Sequence, residues 1–483
     1  MGYILYESPA RFLILAMTST TASPISIRDM PVEILAKILV SAVDRALTAD
    51  PKKFPLYLTR ITSRLRSVAF DTPEIWRFLV TTCNIYELRH DSMVKKSYID
   101  FICWWSKRLG NRNQFSLRFR LDFVTPKEYT GWVSLGGPEL RSVVDFIARA
   151  RYLKIESRGI KFLLKTIEGS GYSAGLPVSC VESIEITAPR GRTGSGSGYK
   201  ADLSAALRLF KIPALRKLAL SELRLRHVPS SNDSPAKVAC ETLWSQLTHI
   251  KVALVIDLGQ WRRFILICTT LESAWINLKL PESTNDDANG LPVSTLPHLR
   301  ELVIGIVCEF EVGNILESIY LPALKTLLFA GPPLPLDDFH RLVEITPSLE
   351  RMRLATSFPV NESEIVGFPD KSTALATHAP HLKHLILDIP DNPEFETSLR
   401  EYIDDMRRSG WLKRETGALR LDFYCALTQP TGQAMEDLQQ YFDLPENRLE
   451  SVRITLRRMR TIEDQKSSNS PFWDLWHDFG ADF

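Results

Sequence analysis

Apolar side chains return along most of the chain in one spacing: aliphatic, two others, aliphatic, one other, aliphatic. Leu215, Leu218 and Leu220 form the first clear copy. The last two aliphatics flank one other position, as a short strand with one buried face requires. The other clear copies are Leu299-Leu302-Ile304, Leu324-Leu327-Phe329, Leu349-Met352-Leu354 and Leu382-Leu385-Leu387. Weaker copies are Val181-Ile184-Ile186, Leu247-Ile250-Val252, Leu271-Ala274-Ile276 and Leu449-Val452-Ile454, and Leu419 and Leu421 belong to one more.

Helix-like patterns separate these strands, for example over residues 334–345 and 395–406. Successive copies start roughly 24 to 34 residues apart, near the repeat length of about 20–29 that builds strand-and-helix solenoids. One such unit cannot bury its own apolar face, so it stacks on the next. The pattern predicts an α/β fold with a curved parallel sheet over residues 151–460. A non-repeat α/β domain with several short strands is the alternative.

A different pattern lies near the N-terminus. Pro31 can open a helix, and Ile34, Leu35, Ile38 and Leu39 follow it at spacings that place them on one side. A second helical pattern covers residues 55–70 and includes Ile61 and Leu65, and a short third element ends at Trp76. Helices this short bury little by themselves. We therefore predict a helical hook, residues 25–80, that a partner protein completes.

The remaining segments carry weaker signals. We expect residues 1–24 to be a disordered leader, because Pro9 and Arg11 interrupt its apolar stretch where a signal peptide needs continuity. We expect a helical connector and first repeat over residues 81–150, and a linker with an aromatic tail over residues 461–483. No apolar run reaches the length of about 18 residues that a transmembrane helix needs.

Composition narrows the class of protein. Lysine and arginine number 59 against 57 acidic residues, and this balance argues against a dedicated nucleic-acid binder. The seven cysteines are scattered and odd in number, which argues against a disulfide framework or a zinc site. Reduced thiols fit an intracellular protein of the cytoplasm or nucleus, with no nucleic acid and no membrane among its partners.

The sequence carries no convincing catalytic signature. The glycine-rich segment 194–198 lacks the lysine that a phosphate-binding loop requires after its last glycine. Pro380 interrupts the run of His378, His381 and His384 that could suggest a metal site. We expect no catalytic residue, no metal and no cofactor, and thus no enzyme. A hydrolase in an unrecognised α/β fold stays open, since catalytic triads assemble in space rather than in sequence.

Two N-terminal segments carry a family resemblance. Residues 30–39 read Met-Pro-Val-Glu-Ile-Leu-Ala-Lys-Ile-Leu, and residues 61–76 run from Ile-Thr-Ser-Arg-Leu to Thr-Pro-Glu-Ile-Trp. In this order they resemble the F-box of proteins from mushroom-forming (basidiomycete) fungi. Residues 104–119 resemble the stretch that leads such proteins into their repeats, and the repeat pattern resembles irregular leucine-rich repeats. The departures from the family are Met30 for its leading leucine, Thr62 in its Val-Cys pair, and Leu65 for its common tryptophan.

This resemblance implies a substrate-recognition adaptor of an SCF-type ubiquitin ligase, in the ubiquitin conjugation pathway. The hook would bind a Skp-type adaptor, and through it a cullin, while the repeats hold an unknown protein client. The implied adaptor contacts are Met30, Pro31, Ile34, Leu35, Ile38, Leu39, Ile61 and Leu65. The client contacts are the polar and aromatic positions that the repeat spacing turns to solvent: Lys217, His249, Lys251, Trp275, Glu301, Arg351, Arg353, His384 and Arg453. A leucine-rich repeat scaffold with no ligase link is the alternative.

Overall fold

The computed structural model divides into two compact units, Met1–Leu215 and Arg216–Phe483. It describes residues 29–46, 62–76, 78–84, 92–109, 115–122, 145–156, 180–187, 215–225, 244–255, 258–279, 293–307, 315–317, 319–331, 334, 336–356, 379–389, 419–425, 439–441 and 452–458. The predicted leader, the aromatic tail and the helix over residues 395–406 lie outside these ranges.

The first unit begins with short helices. The helices are α1 Val32–Ala46, α2 Ser63–Asp71, a 3₁₀ turn Pro73–Trp76, and α3 Ser92–Leu109. Helix α1 starts directly after Pro31, whose missing amide proton has no partner in a first turn anyway. Thr62 caps α2, because its Oγ1 accepts a hydrogen bond of 3.1 Å from the Leu65 amide. Local sequence therefore determines where both helices begin.

Four parallel strands complete the described part of this unit. They are β1 Phe78–Asn84, β2 Phe115–Asp122, β3 Ala150–Glu156 and β4 Ser183–Thr187, and each pairs with the next along the chain. The sheet thus already includes β1 and β2, which precede the segment 151–460 predicted as the solenoid. The two earliest strands lack the leucine spacing of the later ones, so the repeat pattern misses them.

The second unit continues the same construction. Its strands are β5 Lys217–Leu225, β6 His249–Val255, β7 Ser273–Lys279, β8 Ser294–Thr295, β9 Glu301–Val307, β10 Ile319–Tyr320, β11 Thr326–Gly331, β12 Arg351–Thr356, β13 His384–Ile389, β14 Leu419–Cys425 and β15 Val452–Arg458. The longer helices of the described part of this unit are α4 Leu258–Ile267 and α5 Leu336–Glu344. The long strands pair in parallel in chain order, and β8 and β10 form a separate short pair. The predicted α/β architecture with a parallel sheet is confirmed.

The repeated leucine positions form the core of this unit. The strand register aligns one buried residue from each neighbouring strand into a row: Leu218, Ile250, Ala274, Leu302, Leu327, Met352, Leu385 and Leu421. Helices α4 and α5 contribute Phe264 and Phe339, both fully buried, to the interior. Each fully buried aliphatic or aromatic side chain stabilises the fold by about 1.5–3 kcal/mol. No helix in the described part of the chain is long and apolar enough to cross a bilayer.

Candidate functional site

The helical hook has a core of its own. Leu35, Leu39 and Leu65 are each only 1% exposed, so three of the predicted adaptor contacts lie in the interior. The helices α1 and α2 and the 3₁₀ turn pack against one another around them. The expectation that these three leucines await a partner protein is wrong, because the hook itself shields them.

A smaller apolar surface stays open at the start of α1. Val32 is 51% exposed and Ile34 is 44% exposed, and Pro31 beside them is also exposed. We name these three exposed apolar residues, Pro31, Val32 and Ile34, the α1 apolar patch; they share the start of the helix, although Val32 and Ile34 point to different sides of it. Of the other predicted contacts, Met30 and Ile38 are half-buried, and Ile61 lies outside the described residues. Val32 is not among the adaptor contacts predicted from the sequence, because these were chosen from the family motif and not from exposure to solvent.

An aromatic cluster anchors the hook within the first unit. The indole Nε1 of Trp76 donates a hydrogen bond of 2.8 Å to the Ala69 carbonyl, and Trp105 Nε1 donates one of 2.7 Å to the Trp76 carbonyl. The ring of Trp76 meets Trp104 and Trp105 edge to face at centroid distances of 5.3 and 5.0 Å. Such ring pairs add about 0.5–1.5 kcal/mol each beyond their burial. The α1 apolar patch therefore belongs to a well-packed unit.

A second candidate site follows the strands of the second unit. The register brings one residue from the start of each strand into a line, which we name the first face row. Its members are Lys217, His249, Ser273, Glu301, Thr326, Arg351, His384, Arg420 and Arg453. Six of the nine predicted client contacts lie in this row, so the structure does bring them together. Ser273, Thr326 and Arg420 belong to it as well, although sequence reasoning did not select them.

The other three predicted client contacts lie two residues further along their strands. This second face row runs Ala219, Lys251, Trp275, Val303, Leu328, Arg353, Ile386 and Asp422. Trp275 is 2% exposed and Arg353 is 0% exposed, so the prediction that both face solvent is wrong. Lys251 is half-buried, with its Nζ 4.1 Å from the centre of the Trp275 ring.

The burial of the second face row has a simple physical reason. Strands in a parallel sheet are commonly covered on both faces, and then they read as continuous apolar runs. Strand β9 has this character, with Leu302, Val303, Ile304 and Ile306 all buried. The accessible positions of this face therefore lie in the first face row, where Arg351 is exposed, Lys217, His249, Glu301 and His384 are half-buried, and only Ser273 and Thr326 are buried among the members whose burial is described.

Polar side chains of the first face row are bonded to their neighbours. Ser273 Oγ donates a hydrogen bond of 2.9 Å to Glu301, and Arg351 donates bonds of 3.2 and 3.0 Å to the Thr326 hydroxyl. Burial first, and then the nearby Lys217 charge, lower the pKa of His249, while Glu272 opposes this shift. These contacts restrain the side chains of the row.

Asp422 carries a strongly perturbed carboxyl group. His384 Nε2 lies 3.1 Å from its Oδ2, and the Arg420 guanidinium approaches the carboxylate at 3.1 and 2.9 Å. Burial would raise the pKa of Asp422, but the hydrogen bonds from His384 and Arg420 outweigh it and hold the pKa at about 2. Across the described ranges, no group of three or more histidine, cysteine or acidic side chains is arranged to hold a metal ion.

Comparison with known proteins gives little further information. No family model matches the chain, and no curated protein matches it. Among solved structures, one chain in the crystal structure of the Rad7 and Elc1 complex in yeast is similar at 10% sequence identity and a TM-score of 0.31. The match covers 81% of this chain and 88% of that chain.

The low pKa of Asp422 predicts a specific loss of stability in acid. The Asp422 carboxyl has a lower pKa in the folded than in the unfolded protein. Its contribution to the unfolding free energy is therefore complete above about pH 4 and disappears as the pH falls through about 2. Between these limits, the wild type should lose about 2 kcal/mol more unfolding free energy than Asp422→Asn. Denaturant titrations at several pH values measure this difference, and parallel pH profiles for the two proteins would contradict it.

Proposed function

We propose that this chain is a substrate-recognition adaptor of an SCF-type ubiquitin ligase. In this proposal the hook is an F-box that binds a Skp-type adaptor, and the strand-and-helix units are leucine-rich repeats that bind a protein client. The observation that carries the proposal is the α1 apolar patch, because it lies within the segment that resembles an F-box. The protein would act by holding two partners and would catalyse no reaction itself.

The exposure of the patch supports docking of a protein. Val32 and Ile34 are large apolar side chains that stay open to solvent although the hook around them is well packed. Full burial of such a side chain contributes about 1.5–3 kcal/mol, and since each is only about half exposed, docking would gain about half of that from each. Val32 and Ile34 both lie in the first turn of α1, so a partner that surrounds this end of the helix would contact both.

The first face row supports the client-binding half of the proposal. It alternates cationic, neutral and acidic side chains over the earlier strands, from Lys217 to Thr326, and becomes basic from Arg351 onward. Arginine is favoured at the centres of protein interfaces because its planar group can pair with carboxylates at two points. Arg453 is included in this proposal because it pairs in register with Arg420.

Binding to purified partners tests the ligase link. The full chain is mixed with a recombinant Skp-type adaptor and cullin, and complex formation is followed by size-exclusion chromatography and calorimetry. We expect a one-to-one complex with the adaptor, with a Kd of about 1 µM or tighter, as about −8 kcal/mol of binding free energy requires. Absence of binding at adaptor concentrations of about 100 µM would remove the ligase assignment.

One observation favours the alternative of a scaffold with no ligase link. Leu35, Leu39 and Leu65 already form a closed core, so the hook could serve as a cap on the repeats without any partner. The same binding experiment separates the two functions. A scaffold would capture a client but would never form the complex with the adaptor.

A further inference from the structure

The last four strands differ from the earlier ones in the first face row. Strands β12 to β15 place Arg351, His384, Arg420 and Arg453 side by side in register. We name these four residues the basic stripe. The register is direct, since each residue is the partner of the next across a parallel ladder. The repeat spacing alone did not reveal the stripe, because Arg420 lies in a copy with an incomplete leucine pattern.

The described contacts leave most of this positive charge uncompensated. Arg351 is exposed and bonds the neutral hydroxyl of Thr326, with no carboxylate partner among the described residues. Arg420 and His384 share the single carboxylate of Asp422. Cations therefore exceed anions on this part of the surface.

Simple geometry indicates what the basic stripe can bind. Neighbouring strands lie about 4.8 Å apart, so four successive positions span about 14 Å. An extended peptide turns every second side chain to the same side, about 6.7 Å apart, so three alternate residues span about 13 Å, close to the length of the stripe. A peptide that crosses the strands with three alternate carboxylates would therefore match the stripe in length and in charge.

We infer that the basic stripe binds an extended client segment with acidic residues at alternate positions, an inference that rests on the proposed client-binding function. Beside the stripe on the same face of the sheet, Arg353, Ile386 and Asp422 of the second face row are buried, so the segment lies along the first face row alone. The parallel ladder keeps the backbone positions of the four stripe residues at fixed spacing, which reduces the ordering cost of binding. Guanidinium groups suit this ligand because they pair with carboxylates in a planar, two-point geometry.

The test uses a fluorescent peptide, Ser-Glu-Ser-Glu-Ser-Glu-Ser, and the full-length protein. Anisotropy should show saturable binding that weakens as salt is raised, because ions screen exposed charges. The matched peptide with glutamine in place of glutamate should not bind. Arg351→Glu should weaken binding about tenfold or more, since it places like charges together, whereas Arg351→Lys should retain most of the affinity.

Arg263→Glu is the matched control variant, because Arg263 is exposed on α4, away from the face rows. It should bind the peptide like the wild type, and all variants should keep the wild-type thermal midpoint. Equal binding of the glutamine peptide, no effect of Arg351→Glu, or binding only when the serines are phosphorylated would each overturn the inference. If the peptide does not bind but the Skp-type adaptor does, only the proposal for the basic stripe is wrong. If the adaptor does not bind, the ligase assignment is wrong instead.

Discussion

Replacing Val32 and Ile34 together by aspartate is expected to abolish binding of the Skp-type adaptor and to leave the hook folded. Both side chains are about half exposed, so the new carboxylates stay hydrated in the free protein. In the complex they would be buried without partners, which costs several kcal/mol. Calorimetry should therefore show a loss of affinity of about 100-fold or more.

The control for this pair comes from the second unit. Val293 and Leu266 are exposed apolar residues outside the hook, and Val293→Asp with Leu266→Asp should leave adaptor binding unchanged. The motif would also suggest Leu35→Asp, but Leu35 is interior, so that change would disrupt the hook rather than its surface. Undiminished binding by the Val32 and Ile34 variant, with circular dichroism unchanged, would show that the adaptor docks elsewhere.

Trp76→Ala is expected to destabilise the first unit by about 3–5 kcal/mol, the range for removal of a buried large aromatic side chain. The substitution removes the indole bond to Ala69 and the ring contacts with Trp104 and Trp105. It leaves a cavity where α2, the 3₁₀ turn and α3 meet. Urea denaturation followed by circular dichroism, with limited proteolysis of residues 29–109, measures the loss.

Trp76→Phe provides the graded comparison. Phenylalanine keeps an aromatic ring but cannot donate to the Ala69 carbonyl, and a lost buried hydrogen bond costs about 1–3 kcal/mol. We expect its stability to lie between those of the wild type and Trp76→Ala. If Trp76→Ala unfolds at the wild-type urea concentration, the aromatic cluster does not hold the hook.

Sequence spacing predicted most of the sheet because it reflects one physical requirement. A strand that buries one face must alternate apolar residues with others, and stacked repeats must place their apolar residues at equivalent positions. Leu218, Leu302 and Leu327 therefore identified their strands. The same reasoning failed for Trp275 and Arg353, because it assumed that the opposite face meets solvent. The apolar run of β9 was the available signal that both faces are buried.

The hook shows a different limit. Proline and apolar spacing predicted a helix after Pro31, but grouping Ile34 and Leu35 on one side ignored the rotation of about 100° between neighbouring helical residues. That rotation turns Leu35 inward and Ile34 outward. Which flank faces the core depends on where α2 and the 3₁₀ turn pack, and this is a tertiary property. Register likewise decided that Arg420 joins Arg351 and His384, since no local pattern links residues so far apart in sequence.

Hydroxyl-radical footprinting with and without a Skp-type adaptor tests adaptor docking most directly. The radical labels exposed side chains, and Leu266 and Tyr320 in the second unit serve as internal references because they are exposed apolar residues outside the hook. If the adaptor docks on the α1 apolar patch, labelling of Val32 and Ile34 should fall while that of Leu266 and Tyr320 stays constant. Unchanged labelling of Val32 and Ile34 at saturating adaptor would contradict docking through the hook.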